Sequence, residues 1–263
     1  MRISIIVPVL NEAQLLVEFL RRLRTVAPGA EVIMVDGGSC DGSVELSRSL
    51  ADHVIISPPG RGKQMNAGAA LARGAVLWFV HADSQIPDDP LATMEESLQD
   101  VRMAGGCFGL RIVPKRWMYR IRDFVGDACV DLFRIGLGDR GLFCRREAFQ
   151  AVGGYRESAL FEDADLYRDL ARAGKMRRLD LAIETSARRY EAQGPIRTCL
   201  WYGFIMLLYW GGLHRTLLER MVQRFCRRPH RIDQMHASTH LSRSDATERI
   251  LPHSTPLQFN PNL

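Results

Sequence analysis

Four short apolar runs, 3–9, 32–35, 54–56 and 76–80, alternate with three helical patterns in the first hundred residues. The patterns at 12–24, 43–51 and 64–72 carry apolar residues at helical spacing. Strands that are apolar almost throughout are buried on both faces, and strand–helix alternation places them in a parallel sheet covered by helices. Such sheets bind ligands beyond the carboxyl ends of their strands. Chemistry is therefore expected in the residues that follow each run.

The second half is less regular. Strands are expected at 104–113, 141–144 and 176–183, and helices at 117–133, 146–152 and 163–173, with Gly174 as a C-cap. The apolar stretch 199–213 is shorter than the roughly 20 residues of a spanning helix. It reads either as a buried core helix or as an interfacial helix, for which Trp201, Tyr202, Tyr209 and Trp210 are suited. Between 215 and 231 stand six Arg against one acid, Glu219. That run is either a solvated helix end or, with 199–213, an anionic membrane surface contact. From 227 the apolar content falls, and 227–263 is expected to be disordered.

A chain of 263 residues with 46% hydrophobic and 25% charged residues can bury a core without staples, which excludes a wholly disordered chain, a fibre or a disulfide scaffold. Its six cysteines form no CxxC pair and read as core residues in a reducing compartment. The opening MRISIIVPVLNE has no small-residue cleavage site and reads as a first strand. A cytoplasmic protein is expected, with the inner face of the plasma membrane as a peripheral site. The net charge of +5 comes with no nucleic-acid-binding fingerprint, so no nucleic-acid partner is expected.

Five polar clusters follow the strands or open a later helix. In PVLNE, Asn11 can cap the next helix, which leaves Glu12 unexplained by capping alone. In VDGGSCDGS, Asp36 ends the second run; it is either a turn aspartate or an acceptor for ribose hydroxyls or a base N–H. Asp41 or Ser43 caps the helix after it. In PPGRGKQMNAG, Arg61 and Lys63 stand in a Gly-rich loop before a helix and could bind an anion. In FVHADSQIP, His81 and Asp83 offer donors for Mn²⁺ or Mg²⁺ on a diphosphate. In FEDADLYRDLARAG, Glu162, Asp163 and Asp165 either complement a helix dipole or supply a general base.

In this order the clusters resemble the family-two glycosyltransferases with the GT-A fold, over about residues 1–215. GRGKQMNAGA, the HAD motif, GDRGLF and SARRYEAQG, with Arg188 and Arg189, are similar to a bacterial subgroup labelled arsenosugar-biosynthesis or radical-SAM-associated glycosyltransferases. The resemblance implies a single GT-A domain over 1–226, with a mostly parallel central sheet and helices on both faces. A nucleotide-binding half would cover about 1–103 and an acceptor half about 104–226.

The resemblance also implies roles. Glu12 and Asp36 would hold the nucleoside, with Pro8 shaping the wall. Arg61 and Lys63 would touch uracil or diphosphate. Asp83, and His81 where the family has its first aspartate, would hold a divalent metal; Ser84 stands where an acid is common. Asp163 would be the catalytic base, with Glu162 as the alternative. The implied reaction is inverting transfer of a sugar from a nucleoside-diphosphate sugar, UDP-linked, to an acceptor hydroxyl. The arginine–tryptophan motif of processive synthases is missing, which argues against a polymer-extruding enzyme. The rival readings are a catalytically impaired nucleotide-sugar-binding protein and a nucleotidyltransferase; PVLNE after the first strand argues against the latter.

Overall fold

The structure, a computed structural model, describes residues 1–134, 136, 140–157, 161–187, 190–191 and 194–226. The order is β1 (Ile3–Val9), α1 (Ala13–Val26), β2 (Glu31–Asp36), α2 (Ser43–Ser47), β3 (His53–Ile56), α3 (Arg61–Leu71), β4 (Val76–Phe79), β5 (Ser84–Gln85) and α4 (Pro90–Ser97). There follow β6 (Met103–Val113), α5 (Trp117–Phe133), β7 (Phe143–Arg145), α6 (Arg146–Ala151), α7 (Glu162–Ala173), β8 (Lys175–Ser186), α8 (Pro195–Trp210) and α9 (Arg215–Cys226). The chain divides into two compact units, Met1–Arg215 and Thr216–Leu263. The tail 227–263, Arg188 and Arg189 lie outside the described residues.

One sheet of eight strands runs β3-β2-β1-β4-β7-β6-β8-β5. The β1–β2, β1–β4, β2–β3 and β6–β8 pairs are parallel, and β7 is antiparallel to both neighbours. The two faces of β1 explain its unbroken apolar run. Ile3, Ile5, Val7 and Val9 pack with Leu16, Phe19, Leu20 and Leu23 of α1, in a cluster that also holds Trp78 and Phe108. Ile6 packs in the opposite cluster, with Met65 and Ala69 of α3 and Leu166, Tyr167 and Leu170 of α7. Helices therefore cover both faces, as the alternation implies.

Several boundaries move. The helix expected at 64–72 begins at Arg61, because Gly60, at φ 131°, closes the loop and its carbonyl accepts the Gln64 amide at 3.0 Å. Arg61 and Lys63 thus lie in the first helical turn and not in a loop before it. The helix expected at 43–51 ends at Ser47, and α4 and β5 had no sequence counterpart. Gly174 does end α7, but with an extended backbone, φ −169°. A Cβ there would stand 2.9 Å from the Ala104 Cβ, so close packing on β6 requires the glycine and not a left-handed turn. No helix among the described residues is long and apolar enough to cross a membrane.

Candidate active site

The carboxyl ends of β1, β2 and β4 form one rim. Val9 pairs with Asp36, and the β1–β4 ladder stops at Ile6 and Phe79. Pro8 fits this end of β1. Ile6 accepts the Val80 amide on the β4 side at 3.1 Å, so position 8 faces the same side, just past the end of that ladder. A missing N–H costs least there.

Asp36 is buried at the end of β2. Its Oδ2 accepts the Gly38 and Ser39 amides at 2.7 and 2.9 Å. Its Oδ1 is buried with no hydrogen-bond partner. A buried acceptor left unmatched is costly, and this one stands at the carboxyl end of β2, where an N–H or O–H from outside the protein could complete it.

Asn11 does not cap α1. It adopts a left-handed backbone, φ 56°, and its side-chain oxygen accepts the Cys40 amide at 2.9 Å. The first turn of α1 is tied instead from the β2–α2 loop. Asp41 Oδ2 accepts the Ala13 amide at 2.9 Å, and Ser43 Oγ accepts the Glu12 amide at 3.2 Å. Asp41 also accepts the Ser43 amide at 3.1 Å, but neither it nor Ser43 is the N-cap of α2: that position is Gly42, in a left-handed backbone at φ 86°. These bonds hold Glu12, half-buried, at the mouth of the rim. Its carboxyl pKa is raised by burial and by the charges of Asp83 and Asp41, with Arg61 opposing them.

His81 and Asp83 flank a tight turn after β4, closed by the Ser84 amide donating to the His81 carbonyl at 3.1 Å. His81 is buried and Asp83 half-buried. Arg61 is exposed and faces the buried Glu162, with 3.9 Å between Nη1 and Oε1. Lys63, half-buried, lays its stem over Gly60. Glu12, Asp83, Arg61 and Glu162 are thus linked by charge, while Asp36 stands on the next strand end and Lys63 further into α3.

Asp163 accepts a hydrogen bond from the Tyr155 hydroxyl at 3.2 Å. Burial, together with the Asp163 charge, pushes the Tyr155 hydroxyl well above its ordinary range, so Tyr155 stays a donor. Tyr155 is itself held by α3: Asn66 donates to its carbonyl at 2.8 Å and accepts its amide at 2.9 Å. Gly62 allows this contact, since a Cβ there would stand 2.6 Å from the Arg156 carbonyl oxygen.

Sequence reasoning missed Gln64. Buried in α3, its amide donates to the Val9 and Val35 carbonyls at 2.9 and 2.8 Å, clamping the ends of β1 and β2 together. The available signal was a glutamine on a helix face otherwise built from Met65, Gly68 and Ala69. Tyr155 and Asn66 were missed as well, and nothing local marks them as partners.

Residues 4–151 match the family described as Glycosyl transferase family 2. The chain belongs to glycosyl transferase family 2. Among its relatives, the Succinoglycan biosynthesis protein ExoA of Rhizobium meliloti (strain 1021) is 31% identical over 193 residues, covering 65% of this chain and 58% of the relative. A PGL/p-HBAD biosynthesis glycosyltransferase of Mycobacterium bovis (strain BCG / Pasteur 1173P2) is 29% identical over 164 residues, covering 58% of this chain and 62% of the relative. The chain thus spans about three fifths of the length of these relatives.

Among solved structures, the mannosyltransferase PcManGT from Pyrobaculum calidifontis, in complex with GDP-Man and Mn²⁺, aligns over 70% of this chain and 56% of its own at TM-score 0.56 and 22% identity. Mannosyl-3-phosphoglycerate synthase from Rubrobacter xylanophilus aligns over 82% and 77% at TM-score 0.53 and 17% identity. These likenesses establish the GT-A fold for this glycosyl transferase family 2 chain.

A divalent ion suits the donors present. Asp83 and His81 offer a carboxylate and an imidazole, and the mutual repulsion of Asp83 and Glu12 is what a cation relieves. Among the described residues, no three His, Cys, Asp or Glu side chains gather as a cage of their own. The diphosphate of a bound substrate would supply further oxygen ligands.

Proposed function

We propose that the chain transfers a sugar from a nucleoside-diphosphate sugar, with uridine as the nucleoside, to an acceptor hydroxyl with inversion. The observation that carries this reading is the half-used Asp36 carboxylate on the same rim as Glu12, Asp83 and Arg61. Asp36 and Glu12 would hold the nucleoside beside Pro8, and Arg61 and Lys63 the diphosphate. Asp83, with His81, would hold Mn²⁺ or Mg²⁺, which when bound supplies positive charge to the leaving diphosphate. Asp163 takes the proton of the attacking acceptor hydroxyl as its oxygen bonds to the anomeric carbon, and the nucleoside diphosphate departs from the opposite face. The arsenosugar-biosynthesis resemblance offers one acceptor class, and the Arg188 and Arg189 that helped suggest it lie outside the described residues.

Thermal stabilisation by a panel of nucleotide sugars, with and without Mn²⁺, tests the donor and the metal together. A UDP-sugar is expected to raise the Tm more with Mn²⁺ than without it, and Asp83→Ala to abolish that difference while leaving the metal-free shift. Equal shifts with and without the ion in the parent protein would remove the metal from this reading. A response to GDP-sugars alone would replace uridine.

Tyr155→Phe removes the hydroxyl that donates to Asp163 and keeps the ring. It is expected to lower kcat severalfold with the donor KM little changed, since the bond orients a group that acts in the chemical step. An unchanged kcat would show that Tyr155 does not act through Asp163.

A further inference from the structure

Helix α5 turns two of its acids inward: Asp123 and Asp127 are buried beside Tyr119 and Val130, while Asp131, four residues on, is exposed. Asp127 binds Arg140 and Arg111, each at 2.7 Å, Asp123 pairs with Arg122 at 3.2 Å and accepts the Ile112 amide, and Asp131 binds Arg178 at 2.8 Å. The outer stripe, Trp117, Ile121, Phe124, Val125 and Leu132, is apolar, with the exposed Asp131 beside its far end, and every apolar member is more than half exposed; Phe124 reaches 75%. Helix α8, which contacts α5, also carries apolar residues outward: Ile196, Leu200, Phe204 and Leu207, Leu200 at 70%. Apolar exposure on this scale over two neighbouring helices is not kept on a surface without a use for it.

We propose that the outer faces of α5 and α8 dock on an anionic lipid bilayer, lying in its interface and not crossing it. Charge selects this occupant. Lys115, Arg116 and Arg120 are exposed along the start of the α5 stripe, Arg116 also pairing with Glu191 at 3.2 Å. Helix α8 contains Arg197 and no acid. A shallow, open depression on α5, lined by Trp117, Ile121 and Phe124 with Arg120 at its side, sets a cation beside apolar side chains, as an anionic interface requires. Trp117 and Phe124 are side chains that interfacial helices bury, with Lys and Arg beside them.

Sedimentation of the full chain with vesicles tests this without donor or acceptor, so its outcome is independent of the transferase reading. The chain is expected to pellet with phosphatidylcholine vesicles containing phosphatidylglycerol, to pellet less at high salt, and to stay largely in solution with phosphatidylcholine alone. Trp117→Ser with Phe124→Ser is expected to weaken binding about tenfold or more at unchanged Tm, because both side chains are exposed and their loss leaves no cavity. Arg120→Gln is expected to weaken it severalfold. Failure to pellet at low salt would overturn the proposal. So would pelleting unaffected by the double substitution, which would mean simple electrostatic adsorption. A concentration-dependent dimer in lipid-free solution that the double substitution dissolves would instead assign the stripe to a second copy of the chain.

Discussion

Asp163→Asn is expected to cut turnover by about 10²–10⁴-fold while leaving donor affinity near that of the parent, the range in which general-base assistance falls. The substitution is nearly isosteric, and the asparagine oxygen can still accept the Tyr155 hydroxyl, so the fold and the local network survive. What is lost is the capacity to take a proton. Single-turnover kinetics with saturating donor separate this loss from any binding effect. Glu162→Gln is the companion measurement. Glu162 is buried and faces Arg61, a setting suited to holding that cation at the rim more than to meeting an acceptor. Its loss is expected to raise the donor KM more than it lowers kcat. If Asp163→Asn kept parent turnover and Glu162→Gln abolished it, the base would be Glu162.

Asp36→Asn is expected to weaken donor binding by about 100-fold, or roughly 2.7 kcal/mol, with little change in Tm. An asparagine can keep its oxygen on the Gly38 and Ser39 amides, the bonds that Oδ2 makes now. Its NH₂ then occupies the place of Oδ1, the buried acceptor with no partner. A donor replaces an acceptor, and a ligand N–H aimed there meets another N–H. Asp36→Ala would also strip the two loop amides of their acceptor and so mix stability with binding, which makes asparagine the cleaner probe. Calorimetry with the nucleoside diphosphate alone reads the effect without the sugar. Unchanged affinity would show that the free oxygen of Asp36 does not face the nucleoside.

The local features of the fold were legible because they follow from local rules. Runs apolar on both faces announced buried parallel strands, and the observed sheet has β1 between two cores; the run at 54–56 is the exception, because β3 is the edge strand and is only half-buried, with Ile56 72% exposed. The polar clusters sat where strands end, so Glu12, Asp36 and Asp83 could be named from position. Where expectation and structure part, a distant contact is the cause. Asn11 was expected to cap α1, yet Asp41 and Ser43 hold that turn from about thirty residues away. Gly174 is the expected C-cap of α7, but its backbone is extended, and packing against Ala104 is what excludes a side chain there. In α5 the helical spacing was plain, but spacing does not say which face turns inward. The partners of Asp123 and Asp127 decided that, and they put the acids inside.

By itself, then, the sequence determined most of the elements, the parallel arrangement of β1 to β4 and the rim on which polar residues fall, since hydrophobic period and turn chemistry act over a few residues. Tertiary structure alone decided which of those residues meet: Gln64 reaching 55 residues back to Val9, Asn66 reaching 89 residues forward to Tyr155, and through Tyr155 the placing of Asp163. The reason is physical. A side chain's hydrogen-bond partner is set by which strands lie side by side, and the order of strands in a sheet is a property of the whole folded chain.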